Sequence, residues 1–189
     1  KEDLQHSRKL QIGIILLIIA CILPLLDRTG FITSEVLTPI VIFALYASAW
    51  NLLAYSGQAS LGHAAFLGIG GFISALIGVK LGLPPLLGLF VGAIFSALIG
   101  LLIGLACVRL KTWFLAIVTF GFSVIAATIF SQFDAELGSV LGFAPKTIVP
   151  TGLPLYYVAF AISGVSIFVI YLVMKSKWGL AFRAIHQNE

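Results

Sequence analysis

The chain alternates between long apolar runs and short polar breaks, and the runs have the length of membrane-crossing helices. Six of them reach or approach the roughly 20 residues needed to cross a hydrocarbon core of about 30 Å: Leu10–Leu26, Val36–Leu53, Leu61–Val79, Leu86–Val108, Trp113–Phe133 and Leu155–Met174. The first is short and the third is rich in glycine. After the last run comes KSKWGLAFRAIHQNE, Lys175–Glu189, in which Trp178, Phe182 and Ile185 fall at i, i+4 and i+7 on one apolar helical face. The expected fold is all-α: a polytopic transmembrane helix bundle forming one domain, ended by an amphipathic cytoplasmic helix. The polar stretch Asp134–Pro154 carries Gly138, Gly142, Pro145, Pro150 and Pro154 and reads as an irregular loop on the membrane surface.

One polar break differs from the others. YSGQASLGHAAF, Tyr55–Phe66, places Gln58, Ser60 and His63 among Gly57 and Gly62 inside the most apolar part of the pattern. Polar groups at membrane depth are costly and tend to be functional, and irregular backbone there needs protein or water around it. Apolar segments interrupted in this way mark a broken or irregular helix at a transport site. Gln58, Ser60 and His63 are therefore candidates for the lining of a solute path. The same groups would also serve to bond the loose N–H and C=O groups of the break itself, and the pattern leaves both roles open. Asn51 reads as a bridge between helices more than a solute contact. In the fifth run, Thr119, Ser123 and Thr128 read as packing or back-bonding hydroxyls, with Thr119 kept as a path candidate.

The fourth run has a small residue at every fourth position: Gly88, Gly92, Ser96, Gly100 and Gly104. Such a stripe lets a second helix backbone approach closely. Gly70, Ser74 and Gly78 form a shorter one in the third run. Packing within the chain is the expected use of both.

Composition agrees with the pattern. The chain is 60% hydrophobic and 10% charged, where a soluble domain carries about 25% charged residues. The net charge of +4 is no nucleic-acid footprint, because the basic residues sit in short loops and form no basic stripe. Lys1, Arg8, Lys9, Arg109, Lys111, Lys175, Lys177 and Arg183 fall on one side of the six-span map, and only Arg28, Lys80 and Lys146 on the other. The positive-inside rule then puts both ends in the cytoplasm. The first run continues past Cys21 into ILPLL, so it reads as a span rather than a cleaved signal. Cys21 and Cys107 both fall in apolar runs and read as small buried residues. A first residue of Lys1 rather than Met suggests that some N-terminal chain is missing.

Motifs for chemistry are largely absent. There is no G-x-x-x-x-G-K-S/T phosphate loop, H-E-x-x-H, C-x-x-C or G-x-S-x-G. His6, His63 and His186 lie in three separate regions, and no span holds two carboxylates. No cofactor, metal or catalytic residue is expected, and a chain of this kind that moves solute would draw energy from a partner. The apolar face of Lys175–Glu189 suits docking into a protein groove or lying in the lipid interface.

Three segments carry a family resemblance. NLLAYSGQASLGHAAFLGIGGF, Asn51–Phe72, is similar to the G-Q-x-S-L-G-H-A-A-F signature of permease subunits of branched-chain amino acid ABC importers, of the LivM type. VRLKTWFLAIVTFGF, Val108–Phe122, resembles that family's R-L-R-G-x-Y-L-A-I-V-T-L-x-F segment. SKWGLAFRAIHQNE, Ser176–Glu189, resembles its S-R-x-G-R-A-x-R-A-I-R-x-N-E segment, which opens the loop that meets the ATPase. Together they cover about Ala44 to Glu189. Ala54 and Thr112 stand where the family usually has Gly, and Leu180 and His186 where Arg is common.

The resemblance implies an inner-membrane importer built from this subunit, a second homologous permease, two cytoplasmic ATP-binding subunits and a periplasmic or tethered solute-binding protein. ATP hydrolysis would occur in the partners. Trp178, Gly179, Phe182, Arg183, Ile185 and Glu189 would carry ATPase coupling. The chain ends where the family's coupling loop continues, so the resemblance implies a C-terminally truncated permease. Similar permeases carry urea, short amides or other hydrophobic amino acids, and 138–154 lacks the family's T-G-G-x-x-G-L run, which leaves the solute open among them. From another class, a secondary carrier or channel would need no ATPase; carriers usually use a buried ionisable group, for which only His63 qualifies.

Overall fold

The computed structural model describes residues 11, 13, 15–27, 29–58, 60–107, 110, 112–137 and 148–187. Among these there is no strand. The helices are α1 (Ile15–Leu26), α2 (Thr38–Ala54, continuous with a π turn at Thr33–Leu37), α3 (His63–Lys80), α4 (Pro85–Cys107), α5 (Thr112–Leu137), α6 (Leu153–Lys175) and α7 (Lys177–Gln187). Five helical runs are long and apolar enough to cross a membrane: Thr33–Ala54, His63–Lys80, Pro85–Cys107, Trp113–Gln132 and Leu153–Lys175. The described part of α1 is shorter than that. Of the loop expected at Asp134–Pro154, the first four residues continue α5 and the last two open α6, because the apolar helices run past the polar boundary, while 138–147 lies outside the described residues.

Burial follows the logic of a hydrocarbon solvent. Ala65, Ile69, Cys107, Leu115, Ala126 and Tyr156 are the buried apolar residues among those described, while Leu101, Leu102, Leu105, Ile117 and Phe168 are exposed. The buried polar residues are small hydroxyls: Thr33, Thr38, Ser56, Ser60, Thr119 and Ser163. A chain that faces lipid with large apolar side chains and packs inward with Gly, Ala, Ser and Thr is a multi-pass membrane protein.

The chain divides into two compact units, one drawn from Lys1–Tyr46 and Val149–Ser166, the other from Ala47–Ile148 and Ile167–Glu189. The first unit is organised by two prolines and one acid. Pro24 has no N–H, so in α1 it leaves the carbonyls of Ala20 and Cys21 without their α-helical and 3₁₀ donors. The chain tightens to a 3₁₀ turn at Leu23–Leu26. Two successive tyrosines of α6 supply the missing donors: the Tyr156 hydroxyl donates to Ala20 O at 2.8 Å and the Tyr157 hydroxyl to Cys21 O at 2.9 Å. Freed carbonyls at membrane depth are usually re-satisfied in this way by a neighbouring helix.

Asp27 then organises the turn into the next helix. Its Oδ1 accepts from Thr29 N–H at 3.1 Å, Thr29 Oγ1 at 2.8 Å and Gly30 N–H at 3.1 Å. Its Oδ2 accepts from Thr33 N–H at 2.7 Å and Thr33 Oγ1 at 2.9 Å. The Thr33 backbone N–H is the main cause that holds the Asp27 carboxyl below its usual range, at about 2. Pro39 lies four residues beyond Glu35, where its ring would press on the Glu35 carbonyl of a regular α-helix. The helix widens to a π turn just ahead of it, and Thr33 O accepts both the N–H of Thr38 and its Oγ1 at 2.8 Å.

In the second unit α3 packs antiparallel on α4. A Cβ on Gly88 would sit 3.0 Å from Ser74 O, and one on Gly92 would overlap Gly70 O. Ser96 Oγ donates to Phe66 O at 2.8 Å, and Gly100 abuts the Phe66 ring. Gly104 and Gly78 end the two stripes with nothing described within 4 Å of a Cβ. Cys107 is buried and Cys21 half-buried, both as free thiols.

Candidate functional site

The segment between α2 and α3, residues 55–62, is non-helical at its described positions, 55–58 and 60–62. Its depth can be measured along its neighbours. Leu61 N–H donates to Thr119 Oγ1 at 3.0 Å, and Thr119 is seven residues beyond Thr112, the first residue of α5. At 1.5 Å per residue that contact lies about 10 Å in from the start of α5. α4 agrees. Ser96, eleven residues before Cys107, bonds Phe66, three residues into α3, so α3 begins about 12 Å short of the end of α4. The break therefore joins two helices of spanning length and lies well inside the layer that α4 and α5 cross.

Irregular backbone at that depth needs its polar groups bonded. Tyr55 N–H donates to Asn51 O at 2.9 Å, Ser56 N–H to Leu53 O at 3.0 Å and Gly57 N–H to Ala54 O at 3.0 Å. Ser56 Oγ donates to Leu53 O at 2.7 Å. Gly62 N–H donates to Ser60 Oγ at 3.2 Å. Trp50 Nε1, on the last turns of α2, donates to Ser60 O at 2.9 Å. On α5, Ser123 Oγ lies 3.2 Å from Leu61 O.

The path candidates therefore have different placements. Ser60 and Thr119 are each 4% exposed, and their hydroxyls bond backbone groups. Gln58 is half-buried within the segment. His63 opens α3, half-buried, with its ring edge-on to Phe66 at 6.5 Å between centroids. Phe66 in turn packs on Phe122 at 5.4 Å. Asn51 is exposed on α2, and its backbone carbonyl accepts from Tyr55 N–H. Trp50 was legible only as an indole N–H in an apolar helix, a group that needs a partner when buried. Among the described residues no group of His, Cys, Asp and Glu is placed to hold a metal ion.

The two glycines serve different ends. Gly57 has φ of 82°, a left-handed conformation that side-chain-bearing residues resist. Gly62 has an ordinary φ of −85°. What matters at Gly62 is the missing side chain, not an unusual backbone angle. A Cβ would stand 3.0 Å from Thr119 Cβ and 3.1 Å from Thr119 O.

At the other end of the unit, Ser176 alone separates α6 from α7. Its N–H and Oγ both donate to Val173 O, at 3.1 and 2.7 Å, ending α6. The same Oγ accepts the Trp178 N–H at 3.2 Å, opening α7. Gly179 is buried on the turn, where a Cβ would collide with the Met174 backbone. Trp178 is 71% exposed and Phe182 half-buried. Arg183 and Ile185 lie on α7 with side chains outside what is described, and Glu189 lies outside the described residues.

Residues 32–189 match the model of the family described as branched-chain amino acid transport system, permease component. Comparison with curated proteins gives no match, and comparison with solved structures gives none.

Proposed function

The chain belongs to the branched-chain amino acid transport permease family, and on that premise we propose that it is the membrane subunit of an ATP-binding cassette importer for branched-chain or other hydrophobic amino acids. It is a permease component of a transport system, embedded in a membrane by several helices. In this reading it pairs with a second homologous permease, two cytoplasmic ATPases and a solute-binding protein outside. Residues 1 and 189 then both lie on the cytoplasmic side of an inner membrane.

The observation that carries the proposal is the polar, irregular segment 55–62 held about 10 Å inside α5 by Thr119. Gln58 and His63 stand on or beside it as the groups for a solute headgroup. Phe66 and Phe122 supply an apolar wall suited to a hydrophobic side chain. The one-residue joint at Ser176, with Gly179 pressed on Met174, supports α7 as a lever on α6. Its exposed Trp178 is the anchor for an ATPase groove.

The test is reconstitution of the full-length subunit with its partners in liposomes. Truncating buried aromatic anchors costs about 2 kcal/mol or more, roughly a thirtyfold loss of affinity. Trp178→Ala with Phe182→Ala should release the ATPase or uncouple hydrolysis from uptake, with solute binding by the outside partner unchanged. Normal assembly and normal solute-stimulated hydrolysis in the double variant would refute the coupling role. Uptake by the permease alone, without ATPase, would establish a carrier instead.

A further inference from the structure

Two hydroxyls one turn apart on α5 hold the irregular segment, and neither depends on it. Thr119 has one proton, which it returns to its own helix at Leu115 O, 2.8 Å away, with Ala116 O at 3.1 Å. It offers the segment only a lone pair, taken by Leu61 N–H at 3.0 Å. Ser123 also has one proton, and two carbonyls lie at the same 3.2 Å: Leu61 O on the segment and Thr119 O on its own helix. A hydroxyl donates that proton to one acceptor fully at a time. If the segment leaves α5, both hydroxyls keep an in-helix partner, and no buried polar group on α5 is orphaned. The other described hydroxyls of α5 make plain back-bonds: Thr128 to Val124 O at 2.9 Å and Ser131 to Thr128 O at 2.8 Å.

The contact surface fits a joint that closes and reopens. Gly62 lies flush on Thr119, too close for a side chain. The segment is held on its other side by a different bond, from Trp50 Nε1 to Ser60 O. We infer that Thr119 and Ser123 form a releasable latch: residues 60–62 are docked on α5 in this state and leave it during the transport cycle, turning about the Trp50–Ser60 bond. Thr119 is the positioning residue, and Ser123 is the exchangeable half that passes its proton between the segment and its own helix. Release exposes the N–H and C=O of Leu61, which belong to the segment assigned to the solute path. The inference rests on that assignment.

The experiment uses the full-length subunit in its assembly in liposomes, with Cys21 and Cys107 replaced by Ala. Leu61→Cys with Ser123→Cys is bridged by a short, reducible bis-thiol reagent. The bridge should lower solute uptake and solute-stimulated ATP hydrolysis by about tenfold or more, because the undocked state is removed. Reduction should restore both. Thr119→Val keeps the shape but removes the acceptor for Leu61 N–H. It should raise solute-independent hydrolysis relative to uptake, and Thr119→Ser should restore the ratio. A bridged assembly that transports at the unbridged rate overturns the latch, as does a wild-type ratio in Thr119→Val. An unmodified assembly that shows neither uptake nor stimulated hydrolysis overturns the importer reading, and the latch with it.

Discussion

Gly92→Ala adds one methyl group where the structure has no room for it. The new Cβ would overlap Gly70 O and stand 3.2 Å from Gly70 C and 3.3 Å from Ser74 Cβ. Two of these atoms are backbone, so no side chain can turn aside and α3 must move off α4. Overpacking of this kind costs about 2 kcal/mol. The separation also stretches the 2.8 Å bond from Ser96 Oγ to Phe66 O, worth about 1 kcal/mol. Alanine's better helix propensity returns about 1 kcal/mol. The net loss is about 2 kcal/mol, or roughly 4–8 °C in Tm for a chain of this size. Gly104→Ala, on the same stripe, meets nothing described within 4 Å and should melt at or slightly above the parent. Gly100→Ala, 3.6 Å from the Phe66 ring edge, should be close to neutral. Thermal unfolding of the three variants in one detergent gives the order. Gly92→Ala melting together with Gly104→Ala would show that the α3–α4 contact does not hold the unit together.

Three further outcomes are expected. Tyr156→Phe should destabilise by about 1 kcal/mol by orphaning Ala20 O, and the cost should vanish in a Pro24→Ala background that restores the backbone donor; equal costs in both backgrounds would break the link between Pro24 and Tyr156. The Asp27 carboxyl lies at about 2 in the fold against an ordinary 3.8, so its contribution to stability is complete above about pH 4 and is lost as pH falls toward 2. Asp27→Asn should flatten that part of the acid-unfolding profile in detergent, and an unchanged acid slope would refute it. Single cysteines at Glu136 and Lys146 should react with an impermeant reagent from outside, while those at Thr112 and Gln187 should be protected, and labelling of Thr112 from outside would invert the proposed topology.

What the sequence made legible is what depends on near neighbours. Run length located the helices within a few residues: Leu86–Val108 became Pro85–Cys107, and Leu155–Met174 became Leu153–Lys175. The four-residue stripe was visible because residues four apart share a helix face, and Gly88, Gly92, Ser96 and Gly100 do face α3. The stripe could not say that Gly104 lies past the contact, since that depends on where the partner helix starts. The polar break was visible from residue types alone. Its bracing was not, because Leu61 meets Thr119 and Ser123 from across 58 and 62 positions of chain. The same holds for Tyr156 and Tyr157, each 136 positions from the carbonyl it serves. A proline announces that carbonyls will be orphaned, but not which donor will arrive.

The π turn at Thr33–Leu37 has a consequence for angular phase. A π turn accommodates one residue more than an α-helical turn of similar rise. Taking one residue out of Ser34–Val36 would let the run continue as regular helix with little change in length. Winding all five residues as regular α-helix instead would swing everything before them by about 100° around the axis of α2, the rotation per residue of an α-helix. Thr33 would no longer present both its N–H and its hydroxyl to Asp27 Oδ2. The turn thus works as a vernier: it sets the bearing from which the Asp27 corner enters α2, independently of how long that helix is.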